Sequence, residues 1–154
     1  MADEHIPAFY RFYFKWSDPI VCFWAVYMDF ITPDVVFNAF APIASFGPRN
    51  LQHDFLLQQL GGASLMLGIL ALVLLRYTSD IYIWKILQFA VLSFDLVLLY
   101  SIYDGLEKQQ RLSFGALRAE DWGDIAITGL AAVVRSAFLL DVGLPKRNAH
   151  IKRA

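Results

Sequence analysis

An ionisable side chain inside a membrane-spanning stretch costs roughly 2.5–3.5 kcal/mol to insert, so its presence is a functional-site hypothesis by default. This chain carries several such groups. Asp29 lies near the end of the first apolar stretch, and Gln58 and Gln59 open the second. Asp95 lies within the third; Asp124 and Arg135 lie in the fourth, and Asp141 stands at its end. A carboxyl group placed in hydrocarbon favours its protonated form and can serve as a general acid. Aromatic side chains stabilise a developing cation. Together they suit proton-driven isomerisation or cyclisation of an apolar substrate, epoxide opening included. The residues expected to carry this are Asp29 and Asp95 as catalytic groups, with Gln58, Gln59, Tyr100, Trp24, Tyr27 and Asp124 touching the substrate.

Other chemistries lack their residues. There is no HExxH pair, no CxxC, no phosphate-binding glycine loop and no GxSxG elbow, so neither metal nor cofactor is expected. His5, His53 and His150 are scattered through expected termini and loops, and the single cysteine, Cys22, reads as a small packing residue. A net charge of −1 gives no reason to expect nucleic acid.

The elements that must position these groups are apolar. Of 154 residues, 58% are hydrophobic and 18% charged, against roughly 45–50% and 25% in soluble domains. Four stretches stand out, at 9–31, 55–75, 82–103 and 122–142, close to the about 20 residues a helix needs to cross the hydrocarbon. The expected fold is therefore all-α, a polytopic membrane protein with a four-transmembrane-helix bundle forming one domain over 1–154. The aromatic, basic segment from Phe9 to Lys15 reads as an interfacial turn of helix leading into the first span. The acidic start and the lack of an early small-residue site argue against a cleaved signal peptide. The polar connection from Asp104 to Asp121 and the tail beginning Pro145-Lys146-Arg147 separate or end the spans.

Basic residues set the expected orientation. Arg11, Lys15, Arg76, Lys85, Lys146, Arg147, Lys152 and Arg153 fall on one side, and Arg49, Lys108, Arg111 and Arg118 on the other. Both termini are thus expected in the cytosol, with the endoplasmic reticulum as the expected membrane. Asp29, Gln58, Gln59, Tyr100 and Asp124 then fall in the lumenal half, around an expected pocket that Asp95 also reaches. Asp18, Cys22, Ala25 and Asp29 share one face of the first span; Trp84, Gln88 and Asp95 share one of the third. Small residues at Ser64/Gly68 and Thr128/Ala132/Ser136 allow close packing by spans two and four. Asp95 and Arg135 lean toward one another along antiparallel helices and are expected to form a structural ion pair, which leaves the acid role to Asp29.

Asp18-Pro19, Ile83-Trp84-Lys85, Asp121-Trp122-Gly123-Asp124 and the run from Arg135 to Gly143 resemble an uncharacterised family of short four-span fungal membrane proteins. Four spans, cytosolic ends and Tyr27-Met28-Asp29 are loosely similar to the EXPERA group, which includes sterol isomerases and the sigma-2 receptor. That resemblance implies a lipid-like ligand held near acidic groups, with Asp29 at the matching position; Gln58 or Gln59 stands nearest to the group's second acid. Three readings follow: an isomerase or terpene cyclase acting on a terpenoid- or sterol-like molecule, a non-catalytic lipid or sterol binder, or an accessory structural subunit. Membrane lipid and an apolar small molecule are the expected partners, and a homo-oligomer is compatible with all three.

Overall fold

A computed structural model of the chain describes residues 6–145, which form helices and turns without a strand among them. Helix α1 (Ala8–Phe12) runs through one π-helical turn (Tyr13–Ser17) into α2 (Asp18–Ile31). Two short helices follow, α3 (Pro33–Phe40) and α4 (Ile43–Phe46), then three long ones, α5 (Asp54–Tyr77), α6 (Ile81–Lys108) and α7 (Ala119–Leu139). Three helical runs, Leu51–Tyr77, Ile81–Lys108 and Ala119–Leu139, are long and apolar enough to cross a membrane. A fourth exists only if the bent pair Ala8–Ile31 and Pro33–Phe40, which turns through 101°, counts as one span.

The bounds depart from the expected ones for local reasons. The residue before a proline is pushed out of the helical region, and Thr32, ahead of Pro33, sits at φ −125°, ψ 49°. Helix α2 therefore stops at Ile31, and α3 starts afresh with proline in its first turn. Helix α6 runs on to Lys108 and α7 begins at Ala119, so part of the expected Asp104–Asp121 loop is helical. At the other end α7 stops at Leu139 rather than Val142, because Asp141 takes a positive φ of 62° and the Val142 N–H donates back to the Ala137 carbonyl at 2.9 Å. The basic residues Lys146, Arg147, Lys152 and Arg153 lie outside the described residues.

The long helices pack as two pairs, α2 along α5 and α6 along α7. Leu57, Gly61, Ser64, Gly68, Ala71 and Leu75 form the buried stripe of α5. A Cβ added at Gly68 would stand 3.0 Å from the Cys22 Cβ on α2, and both positions are fixed by backbone. Gly68→Ala is therefore expected to force the two helices apart at a cost of roughly 1–3 kcal/mol. A thermal-unfolding comparison in detergent checks this, and an unchanged midpoint would remove the close approach as a determinant of the pair.

The pairs meet around the tight turn Thr78–Asp80 that joins α5 to α6, hereafter the turn end. Phe14 lies 5.1 Å from Phe138, Tyr10 lies 5.0 Å from Phe138, and Trp84 closes the group at 6.3 Å from Phe138. Ala71 and Leu75 of α5 and Leu87 and Val91 of α6 complete this core. The buried Trp84 indole donates to the Thr78 carbonyl at 2.8 Å, and Asp80 caps α6 by accepting from the Tyr82 N–H at 2.8 Å. Lys85 reaches the last turn of α7, pairing with Asp141 at 2.7 Å, a favourable place for a cation.

Candidate functional site

Asp18 owes its position to the turn that precedes it. Residues four apart on an α-helix drift around its axis by about 40° per step. The wider π turn, in which the Asp18 N–H donates to Tyr13, reduces that drift and keeps Tyr10, Phe14 and Asp18 in one buried line. Pro19 has no N–H to offer the Lys15 carbonyl one turn back. Arg76 from α5 fills that place, donating to the Lys15 carbonyl at 2.7 Å.

From α7, Arg135 enters between the helix pairs. Its Nη1 donates to Asp95 Oδ2 at 2.6 Å, and its Nη2 pairs with Asp18 Oδ1 at 2.9 Å. One guanidinium thus holds two carboxylates, one from each pair of helices, and all three side chains are less than a tenth exposed. Arg135 lies four residues from the end of α7, and Asp18 opens α2, so this cluster sits toward the turn end. Asp95, midway along α6, reaches down to it. Two turns before Asp95 on the same α6 face is Gln88, fully buried; among the described residues neither its amide atoms nor the Arg135 Nε has a hydrogen-bond partner.

The structure does not bring Asp29 to this cluster. It lies eleven residues beyond Asp18, about 16 Å along the helix. It is buried at the seam with α5, where its Cβ would come within 3.1 Å of a Cβ at Gly61. Among the described residues the Asp29 carboxyl has no hydrogen bond or ion pair. The other buried aspartates all meet an arginine: Asp18 and Asp95 share Arg135, and Asp121 takes Arg111 at 2.6 Å and Arg118 at 3.3 Å.

The remaining candidates face elsewhere. Gln58 and Gln59 are exposed, because the α5 stripe that meets α2 runs through Leu57 and Gly61, beside them. Tyr100, Trp24 and Tyr27 are 68, 62 and 47% exposed, the last two stacked on each other at 5.6 Å on the outer face of α2. Asp124 is half-buried in the second turn of α7. Asp29, Gln58, Gln59, Asp95 and Tyr100 therefore do not converge on one pocket as expected. Two surface hollows are lined instead by Glu107, Gln110, Leu112 and Ser113, about 330 Å³, and by Ala8, Arg11, Phe12, Lys15 and Trp16, about 340 Å³. Among the described residues no group of three or more His, Cys, Asp or Glu side chains could hold a metal ion.

A second charged assembly, which sequence reasoning missed, closes the end away from the tight turn. Asp121 accepts from the Arg118 N–H at 2.7 Å and so caps α7. The Arg118 guanidinium spans to α3, donating to the Asn38 carbonyl at 2.9 Å and the Ala39 carbonyl at 2.6 Å. Gln109 adds a bond to the Phe40 carbonyl at 2.8 Å. The bent helix α3 is thus tied to the start of α7. Arg118 is not one of the usual N-cap residue types, so neither its cap by Asp121 nor its reach to α3 has a local signature. Between α4 and α5, Arg49 bridges Asp34 at 2.7 Å and also meets Asp54, the first residue of α5. The hydrogen bond from Arg49 holds the Asp34 carboxyl below the usual carboxylate range and raises the guanidinium in turn.

Residues 3–145 match a family model described as Domain of unknown function (DUF7704). No curated protein and no solved structure matches the chain, so these comparisons lend no support to the expected fungal source or to a likeness to the EXPERA group.

Proposed function

We propose, from the premise that this chain belongs to the DUF7704 family of unknown function, that it is an integral membrane protein acting by proton transfer on an apolar, terpenoid- or sterol-like molecule. The observation that carries the reading is Asp29. It alone of the buried aspartates lacks an arginine among the described residues, and it lies between two helices whose outer faces are apolar. A buried carboxyl that contributes no ion pair to the fold is available for chemistry. Asp95, bound to Arg135, then serves to hold the helices, and Asp29 is the acid.

Membrane insertion is supported by the outward side chains. Ile86, Phe89 and Val97 of α6 and Leu130 and Val133 of α7 are all at least 60% exposed, and soluble monomers rarely leave contiguous apolar faces of that extent in water. In the proposed topology four passes, the bent one included, place both termini in the cytosol of an endoplasmic reticulum membrane. A glycosylation acceptor inserted among residues 109–118 is expected to be modified, and one placed after Pro145 is not. The opposite pattern would invert the topology.

The activity test is incubation of microsomes containing the protein with candidate sterols, prenyl chains and their epoxides. An isomerised or cyclised product absent from control microsomes is the expected result. A second reading, a non-catalytic lipid-binding or accessory structural protein, is favoured by the outward positions of Gln58, Gln59, Trp24, Tyr27 and Tyr100. Retention of a lipid without turnover would select it.

A further inference from the structure

We propose that the groove at the start of the chain, lined by Ala8, Arg11, Phe12, Lys15 and Trp16, binds the phosphate headgroup of an anionic phospholipid. Its volume, about 340 Å³, falls within the roughly 300–1,000 Å³ of small-molecule sites. Arg11 and Lys15 stand one helical turn apart on its wall, and among the described residues no carboxylate lines it. Among the described residues the Arg11 side chain makes no hydrogen bond or ion pair, so its planar donor fork is available to a phosphate.

A third cation borders the groove. The Arg76 guanidinium stacks over the Trp16 ring, 4.7 Å from its centroid. Two of its nitrogens are held by the Leu72 and Lys15 carbonyls, and it pairs with no carboxylate among the described residues. Its charge adds to the field over Trp16. The aromatic rim supplies the other half of a lipid: Phe12 and Trp16 are 63 and 55% exposed, as suits rings seated between headgroups and acyl chains. Cations beside an aromatic belt match the negative surface of a cytosolic leaflet. The inference rests on the membrane reading above only for where the groove lies.

The test uses the full chain purified in detergent and offered equal amounts of phosphatidylglycerol and phosphatidylcholine, with retained lipid read by native mass spectrometry. Phosphatidylglycerol is expected to be retained in preference. Arg11→Gln, which breaks no side-chain bond among the described residues, is expected to lower that retention roughly five-fold, the effect of one basic residue at an anionic surface. Arg11→Lys is expected to keep part of it. Equal retention of both lipids by the wild type, or unchanged retention by Arg11→Gln, would overturn the proposal. Displacement of phosphatidylglycerol by excess inorganic phosphate would reassign the groove to free phosphate and also overturn it. Arg11→Gln is expected to stay in the carbonate-resistant membrane fraction; release of the wild-type protein by carbonate would instead sink the membrane reading.

Discussion

Arg135→Leu is expected to be the most destabilising single change at the buried cluster, at roughly 3–5 kcal/mol or more, the usual effect of removing one partner of a buried pair. The asymmetry follows from the charge count. Two aspartates and one arginine meet there, with Arg135 donating to Asp95 at 2.6 Å and pairing with Asp18 at 2.9 Å. Leucine at 135 leaves two buried carboxyl groups facing each other with no counter-charge. Asp95→Asn leaves Arg135 paired with Asp18, and Asp18→Asn leaves it paired with Asp95; both bring the cluster to balanced charge. Each asparagine variant is therefore expected to cost much less than the leucine variant. A simple Asp95–Arg135 pair predicts the contrary, equal damage from either partner. Folded yield and thermal midpoint in detergent separate the two cases. Equal loss from Asp95→Asn and Arg135→Leu would show that Asp18 contributes nothing to holding the arginine.

Asp29→Asn is expected to leave the fold intact and remove the chemistry. Asparagine matches the shape of aspartate, and no ion pair among the described residues is lost. Its neighbour across the seam, Gly61, tolerates the same Cβ as before. A positioned general acid contributes about 10²–10⁴-fold in rate, so product formation in microsomes is expected to fall by at least about a hundred-fold at unchanged protein level. The result against the proposal is full product formation by Asp29→Asn together with its loss in a well-folded Asp95→Asn. That outcome would move the acid to the Asp18–Asp95–Arg135 cluster.

These two sites differ in how far the sequence reveals them. An α-helix is closed by hydrogen bonds four residues apart, so length, apolar content and end signals are local. The all-helical character and the long apolar runs of α5, α6 and α7 are legible for that reason. So is the bend at Thr32-Pro33 in principle, since the proline rule acts on one neighbour, although its 101° turn is a property of the assembled helices. Axial lean likewise places Asp95 within reach of Arg135 along antiparallel α6 and α7.

Rotation of each helix about its own axis is another matter, because every polar residue on an apolar helix competes for the inward side. Cys22 and Gly68 bring α2 onto α5, and that contact carries Asp29 inward and leaves Gln58 and Gln59 outside. The π turn at Tyr13–Ser17 keeps Asp18 in line with Phe14, which seats it against Arg135. Neither rotation has a local signature. The long apolar helices and the charges they carry are written in the chain; that Arg135 holds two aspartates and Asp29, among the described residues, no arginine is a product of packing, because a helix shows its periodicity to any neighbour but buries only the face that a particular neighbour covers.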